Sequence, residues 1–375
     1  MDFFEHGGRN GKNIRYDFSA NINPLGLPEG VLEALRESLC QAVRYPEAES
    51  LSLREAIAGE WGTDAGGVVC TNGASELIYA AVRALRPAAG LLPAPTFSEY
   101  ERAFLSVGCP VRYYPLKREN GFALDEDFLD FLEKQETGSL LFLCNPNNPT
   151  GYLYTQREMN QIRDLVKKYD LFLFSDEVYR EFCYTGAPYI SAFHLEGIEE
   201  QVVLIDSVSK RYSECGIRIG ALITRHKELK KSVMKFCQAR LSPPLLGQIV
   251  AEASIDAPES YMLSTYNEYV ERRKHLIDGL NRIPGCYSPI PMGAFYTVAR
   301  LPVDNADKFC EWCLSEFEYE GQTIFMAPAS GFYTTPGLGK NEVRLAYVLE
   351  KEELSKALIV LQKALETYPG RTINE

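Results

Sequence analysis

The residues of this chain best suited to chemistry are two serines, a lysine and an arginine that follow a predicted strand. Residues 202–220 open with the apolar run VVLID, which is short and continuous enough for a strand buried on both faces. Ser207, Ser209 and Lys210 follow it, and Arg218 comes shortly after. A lysine at the end of a buried strand is costly to ionise, so its pKa falls. The neutral amine is then a nucleophile that forms a Schiff base with an aldehyde.

The side chains around this lysine add a site for a phosphate group. The hydroxyls of Ser207 and Ser209 donate hydrogen bonds, and Arg218 supplies a fixed positive charge, which together match a phosphate dianion. A nucleophilic lysine beside a phosphate site favours pyridoxal phosphate (PLP) as the cofactor. A lone S-x-S-K sequence is more typical of a surface lysine after an edge strand, so this interpretation needs support from the rest of the chain.

Two further predicted strands end in residues that suit a flat, phosphorylated ligand. Gly73, Ala74 and Ser75 form a strand-to-helix turn, where backbone amides at the positive end of a helix dipole offer a seat for a phosphate. Most turns of this kind use small residues, so NGAS alone is weak evidence. Phe97 follows the strand LLPAP and is placed either to stack on a ring or to join the core.

Polar side chains follow two more strands. The turn CNPNNPTG is rigid, and Asn148 within it is a candidate to hydrogen-bond a ligand through its amide. Asp176 ends the run LFLFSD, and Tyr179 comes soon after. A carboxylate at the end of a buried strand is expensive unless it meets a cation or a protonated base.

The alternation of predicted strands and helices indicates an α/β fold with a mostly parallel sheet covered on both faces. In such sheets, ligands bind outside the carboxyl ends of the strands. The groups at positions 73–75, 97, 148, 176 and 210 all follow strand ends. Their convergence, more than any one motif, predicts a single binding site at this edge.

Composition limits the classes of partner. The chain has 375 residues and a formal net charge of −12, which argues against nucleic acid or an anionic membrane as a partner. No secretory leader and no apolar run of about 20 residues is visible, so we expect a cytoplasmic protein. The pair Cys310 and Cys313 lacks further ligands, which favours reduced structural thiols over a metal site.

The length and the change of pattern after the parallel-type units predict two domains. We expect a large domain over residues 42–255. A smaller α+β domain would combine residues 1–41 with residues 256–375. Arg344 lies on its predicted strand EVRLAYV and needs an anion, for which a carboxylate offers a bidentate match.

The motifs taken together resemble one enzyme family over nearly the whole chain. NGASE, PTFSEY, NPNNPTG, SDEVY, SVSK with a following arginine, and EVRLAYV are similar to the PLP-dependent class I/II aminotransferases of fold type I. By that resemblance, Lys210 forms the internal aldimine with PLP and Asp176 pairs with the pyridine nitrogen. Tyr179 and Asn148 bind the phenolic oxygen of the ring, and Phe97 stacks on it.

The same resemblance assigns the phosphate and the substrate. It implies that the phosphate is held by Gly73, Ala74, Ser75, Ser207, Ser209 and Arg218. Tyr45 would reach the phosphate of the neighbouring subunit, which implies a homodimer with shared active sites. Arg344 matches the arginine that binds the α-carboxylate of the substrate.

The two halves of the chain resemble different members of this family. The N-terminal half, with HGG, DFSANINPLG and RYPEAES, is similar to threonine-phosphate decarboxylases and histidinol-phosphate aminotransferases, whereas the C-terminal half is more like aspartate-type aminotransferases. His6, in the HGG sequence, either binds a substrate phosphate or belongs to a plain N-terminal turn. Asn23 is a further candidate for substrate binding. At Arg211 and Glu214, many relatives have small or apolar residues. The resemblance therefore assigns no role to the part of the lysine loop that faces the substrate.

The resemblance supports two reactions. Transamination between an amino acid and a 2-oxo acid is favoured, because the half with Lys210 and Arg344 is the aspartate-type half. Decarboxylation of a phosphorylated amino acid is the alternative, since the same groups would serve it. A regulatory protein that binds PLP without turnover is disfavoured, because every catalytic position is filled and no DNA-binding domain is visible.

Overall fold

The computed structural model of the chain describes residues 13–19 and 24–373, with side chains from Tyr16 onwards. Two of the predicted substrate-binding residues, His6 and Asn23, lie outside the described residues. In chain order, the strands are β1 (Asn13–Asp17), β2 (Val68–Asn72), β3 (Gly90–Ala94), β4 (Val111–Pro115), β5 (Leu140–Cys144), β6 (Phe172–Asp176), β7 (Val202–Ser207), β8 (Ile219–Thr224), β9 (Tyr296–Arg300), β10 (Gln322–Phe325), β11 (Ala327–Pro328) and β12 (Glu342–Ala346).

Helices separate these strands in the order that the sequence predicts. They are α1 (Val31–Ser38), α2 (Leu51–Trp61), α3 (Ala74–Leu85), α4 (Glu99–Ser106), α5 (Glu126–Glu133), α6 (Gln156–Tyr169), α7 (Val208–Arg211), α8 (Lys227–Ala239), α9 (Leu245–Ile255), α10 (Glu259–Leu280), α11 (Ala306–Ser315) and α12 (Lys351–Thr367).

A seven-stranded sheet forms the centre of the molecule, with the strand order β2-β8-β7-β6-β5-β3-β4. Strands β3 to β7 pair in parallel, whereas β8 is antiparallel to both β7 and β2. The expectation of an α/β fold with a mostly parallel sheet is therefore confirmed. Since β8 runs the opposite way, its first residues lie at the same edge as the last residues of its neighbours.

Helices cover both faces of this sheet, because successive residues of a strand point to opposite sides. On one face, β-strand residues such as Val69, Phe142 and Leu222 belong to a core shared with α3, α4 and α8. On the other face, the core divides into a part under α5 and α6 and a part under α2 and α9. Strands β5, β7 and β8 are buried along their whole length, which explains their unbroken apolar sequences.

Two small sheets make up the rest of the strand structure. Strands β11, β12 and β9 form an antiparallel sheet, and β1 pairs in parallel with β10. Phe18, just after β1, joins the two sheets, because its amide donates to Phe325 O (2.8 Å) and its carbonyl accepts from Ala346 N (2.8 Å). The division into domains at positions 42 and 255 stays a prediction.

Among the helices of the described residues, none combines the length and the apolar character needed to cross a bilayer.

Candidate active site

The carboxyl edge of the central sheet contains a cleft of about 100 Å³. It gathers predicted residues from separate strand ends, which are Ala74, Ser75, Phe97, Asn148, Asp176, Tyr179, Ser207, Ser209, Lys210 and Arg218. The strand-end rule places these side chains together although they span more than a hundred positions of sequence. The structure thus brings these predicted residues together at one cleft.

Lys210 enters the cleft from α7, the single helical turn that follows β7. Its Nζ lies 3.9 Å from Cys215 Sγ. Burial lowers the pKa of Lys210, and the positive charges of Arg344 and Arg218 act in the same direction. The amine is therefore neutral more often than that of an exposed lysine, which makes it a better nucleophile and proton acceptor.

Groups that bind anions surround the base of the cleft. Helix α3 begins after Gly73 without a side-chain cap, so its first backbone amides are available to a ligand. Ser207 Oγ and Ser209 Oγ lie 2.9 Å apart. Arg218 completes this cradle from a left-handed backbone conformation (φ 60°), in which its Nη1 donates to Cys215 O at 3.0 Å.

Two glycines allow the cradle to close. Gly73 has a φ of 80°, and a Cβ at this position would overlap the Arg218 guanidinium. A Cβ at Gly220 on β8 would come within 2.5 Å of Ala74 N. Any larger residue at either position would push the guanidinium or the helix terminus out of place.

Asp176 ends β6 and is buried at the other side of the cleft. Its Oδ2 accepts a hydrogen bond from Tyr100 OH (2.8 Å), and its Oδ1 accepts one from Val178 N (3.3 Å). Burial raises the pKa of Asp176 to about 6 despite these two hydrogen bonds, and the charge of Asp206 adds to the effect. A buried carboxylate of this kind gains most from a cationic partner, such as a protonated ring nitrogen.

Asn148 and Arg344 connect the cleft to the smaller sheets. Arg344 on β12 donates from Nη1 to Asn148 Oδ1 (3.1 Å) and from Nη2 to Ser19 O (2.9 Å). Its guanidinium lies over the Tyr296 ring at 4.7 Å. Arg344 Nε is buried and has no hydrogen-bond partner among the described residues. An arginine whose guanidinium is fixed against an aromatic ring, and whose Nε–H is available as a donor, is suited to bind a carboxylate.

Tyr179 lies beside Asn148 in the lining of the cleft. Its hydroxyl is 2.8 Å from the hydroxyl of Tyr296 on β9. Burial raises the pKa of Tyr179 well above its usual value, and the neighbouring Tyr296 adds to the shift. The phenol is therefore protonated at neutral pH and can donate a hydrogen bond to a ligand oxygen.

Tyr45 does not lie in the cleft. It follows α1 on the surface, with 86% of its area exposed. Its predicted contact with the phosphate of a neighbouring subunit is a contact that a single chain cannot make.

Arg211 and Glu214, whose roles the sequence leaves open, point away from the cleft. Arg211 is buried and donates from Nη2 to Asp206 Oδ2 (2.7 Å), and it also contacts Glu60. Glu214 is buried and accepts a hydrogen bond from Ser254 Oγ on α9. The two residues support the segment that bears Lys210 from behind, and neither lines the cleft.

Sequence reasoning missed several residues of the site. Tyr100, which donates to Asp176, reads in sequence as a core aromatic of the amphipathic helix α4, and it does stack on Phe142 with ring centroids 3.9 Å apart. Tyr296 and Cys144 were also not predicted to lie at the site, because they belong to apolar strand sequences. The only available signal was their position near strand ends.

The residues present fit PLP. A phosphate dianion matches the uncapped start of α3 together with Ser207, Ser209 and Arg218, and a ring cation matches the buried Asp176. An aldehyde matches the amine of Lys210. Within residues 13–19 and 24–373, no group of three or more His, Cys, Asp or Glu side chains is arranged to hold a metal ion.

Comparisons with known proteins agree with this geometry. A family model described as "Aminotransferase class I and II" matches residues 14–361. Threonine-phosphate decarboxylase of Salmonella typhimurium is 34% identical over 78% of this chain and 78% of its own. Aspartate aminotransferase of Pyrococcus horikoshii is 29% identical over 90% of this chain and 88% of its own. The crystal structure of an aromatic aminotransferase from Pyrococcus horikoshii superposes with a TM-score of 0.83 at 26% identity, covering 94% of this chain and 95% of that one.

The raised pKa of Asp176 predicts that this carboxylate, although suited to bind a cationic ligand, lowers the stability of the ligand-free protein. Because its pKa rises from 3.8 to about 6 on folding, the folded protein binds the extra proton, and stability falls as the pH rises through this interval. In the cofactor-free protein at pH 8, Asp176→Asn should therefore raise the free energy of unfolding by about 2–3 kcal/mol. The gain should shrink as the pH falls from about 6 towards 4.

Urea unfolding at several pH values measures this effect, with the exposed Asp278→Asn as a control for the loss of one negative charge. If Asp176→Asn instead lowered the free energy of unfolding at pH 8, the protein itself would already compensate the buried charge of Asp176 without a ligand.

Proposed function

The chain belongs to the class I and II aminotransferase family, and from this membership we propose that it is a PLP-dependent aminotransferase. It would move an amino group between an amino acid and a 2-oxo acid. The observation that carries the proposal is the meeting of three groups at one cleft. Lys210 and Asp176 line it, and Arg344 reaches it through its hydrogen bond to Asn148. They supply a base, a counter-charge and a carboxylate site.

PLP is the cofactor of this family. When bound, it supplies an aldehyde that condenses with amines and a ring that accepts electrons from the substrate's Cα. We assign its phosphate to the start of α3 with Ser207, Ser209 and Arg218. We assign its ring nitrogen to Asp176, its phenolic oxygen to Tyr179 and Asn148, and one face of its ring to Phe97.

Lys210 has two tasks in this proposal. In the resting enzyme its Nζ would hold the cofactor covalently, and its lowered pKa favours the neutral amine that this attachment requires. During turnover the same Nζ would take the proton from the substrate's Cα and deliver it to the carbon that carried the cofactor's aldehyde, which is the net proton shift that transamination requires. A short helical turn at the end of a buried strand holds the amine in one place for both tasks.

Asp176 and Arg344 set the charge and the orientation. The Asp176 carboxylate keeps the ring nitrogen protonated, and the hydrogen bond from Tyr100 fixes its direction. Arg344 binds the α-carboxylate, and its contacts with Asn148 and Tyr296 hold its plane. With the carboxylate fixed, the orientation of the Cα–H bond against the ring is fixed as well.

Transamination is the reaction that we favour. The aspartate aminotransferase relative is matched over a larger share of this chain than the threonine-phosphate decarboxylase relative, 90% against 78%. Loss of carbon dioxide from a phosphorylated amino acid is the second candidate, because that decarboxylase has the higher identity, at 34%. The same lysine, aspartate and tyrosine would serve either reaction.

Product analysis separates the two reactions. The holoenzyme is incubated with pooled amino acids and 2-oxoglutarate, and glutamate and carbon dioxide are measured together. We expect glutamate without carbon dioxide, and a loss of turnover of roughly a thousandfold in Lys210→Ala. Carbon dioxide without glutamate would replace the proposal with the decarboxylase, and full activity of Lys210→Ala would remove the lysine from the mechanism.

We also propose that the enzyme is a homodimer whose two active sites are shared. The segment from α1 to the start of α2 exposes several large apolar side chains, namely Leu32, Leu39, Val43, Tyr45 and Leu51. A surface of this kind is typical of a protein interface, and a second copy of the chain is the simplest partner. Tyr45 would then bind the phosphate in the partner's cleft.

Subunit mixing tests the shared site. Lys210→Ala lacks the base, and Tyr45→Ala should bind PLP weakly, so each protein alone is poorly active at limiting cofactor. In a mixed dimer one cleft has both Lys210 and a partner's Tyr45, so mixing after reversible dissociation should restore about a quarter of the sites. Mixing Tyr45→Ala with Lys210→Ala/Tyr45→Ala is the matched control. No recovery in the first mixture would place Tyr45 outside the partner's site.

For location, we propose the cytoplasm. No disulfide joins any of the ten cysteines, all of which lie among the described residues, and this supports a reducing compartment.

A further inference from the structure

A partly buried ion pair joins the strand of Arg344 to the segment that follows β4 of the central sheet. Arg118, in the segment after β4, contacts Glu342 on β12 through Nη1 and Oε1. The other carboxylate oxygen, Oε2, accepts a hydrogen bond from Tyr333 OH at 2.7 Å. Glu342 is only 4% exposed. Its charge is therefore compensated by one partner from the central sheet layer and one from the loop before β12.

Glu342 and Arg344 lie on the same face of β12, because they are two residues apart on a strand. In the antiparallel register they stand opposite Arg300 and Val298 of β9, without a bulge between them. The backbone of β12 therefore links the position of Glu342 to that of Arg344. Arg344 is in turn fixed by Asn148, which follows β5 of the central sheet.

A third contact crosses the same gap. Thr96 N, in the loop after β3, donates to Phe332 O at 3.2 Å. The Phe332 ring lies 5.1 Å from the Arg344 guanidinium. The loops after β3, β4 and β5 therefore all contact the structure around Arg344. Among the contacts of these loops described above, Arg118–Glu342 is the ion pair, whereas the others are hydrogen bonds to neutral groups.

Stability alone is a weak reason for such a pair. Ion pairs of surface lysines, such as that of Lys117 with Asp125 in the same segment, contribute little, and a buried pair is often no more stable than apolar side chains of similar size. What an arginine paired with a buried carboxylate supplies is a fixed geometry. That property matters where two parts of the molecule must hold a substrate between them.

We infer that Arg118 and Glu342 are positioning residues that hold Arg344 in register with the cleft for binding of the substrate's carboxylate. The inference rests on the proposed role of Arg344. Neither residue touches the reacting atoms. Arg118 acts through Glu342 and β12, and its removal should loosen the carboxylate site while the cofactor site, which is built on the central sheet, stays intact.

Binding of 2-oxoglutarate to the holoenzyme tests this inference without requiring turnover. We expect Arg118→Ala and Glu342→Gln to raise the dissociation constant for 2-oxoglutarate roughly tenfold, with little change in the affinity for PLP. The exchange of charges in Arg118→Glu/Glu342→Arg should recover part of the loss. Lys117→Ala, from the neighbouring surface pair, is the matched control and should bind like the wild type.

Arg344→Lys, measured in parallel, separates the role of Arg344 in carboxylate binding from the positioning role of Arg118 and Glu342. If Arg344→Lys binds 2-oxoglutarate normally, the proposed carboxylate site is wrong. If it binds weakly but Arg118→Ala binds normally, the carboxylate site stands and the positioning role falls.

A purely structural role for the pair would show as lower thermal stability and weaker PLP binding in Arg118→Ala, with an unchanged dissociation constant for 2-oxoglutarate. Arg118→Lys keeps the charge but loses the planar fork, so it gives the same comparison in a protein that folds if Arg118→Ala does not. The positioning role predicts an intermediate loss of 2-oxoglutarate affinity in Arg118→Lys, and wild-type affinity would contradict it.

Discussion

The constraint on which this structure depends is the burial of opposite charges at the ends of strands. Lys210 and Asp176 both lie where water is scarce, and burial shifts each pKa towards the neutral form. A protein selected for stability alone would replace both. Here their surroundings supply donors and charges that leave them reactive, and the central sheet serves to bring them to one edge.

Much of this arrangement could be predicted from sequence, because one rule covers most of it. Parallel strands place their carboxyl ends together, so Asn148, Asp176 and Lys210 had to meet once the alternation of strands and helices was recognised. Arg344 was predicted as a strand arginine that needs an anion, and the structure gives it a hydrogen bond to Asn148. The phosphate cradle followed from small residues at a helix start.

Other features could not be predicted, for reasons of geometry. Arg211 follows Lys210 directly, yet one step along a helical turn rotates a side chain by about 100°, which sends it to Asp206 instead of the cleft. Tyr100 has the sequence environment of a core residue, and only the packing of α4 against the sheet brings its hydroxyl to Asp176. The pair of Arg118 and Glu342 joins segments more than two hundred positions apart, which no local pattern records.

The proposed activity depends on a covalent bond between Lys210 and the cofactor, and reduction followed by peptide mapping can detect that bond. The protein is incubated with PLP, treated with borohydride and digested, and the masses of its peptides are measured by mass spectrometry. We expect the peptide that contains Lys210 to gain the mass of one reduced cofactor, and the corresponding peptide of Lys210→Ala to gain none. An unmodified Lys210 peptide, or a modification confined to other lysines, would contradict the assignment of the site.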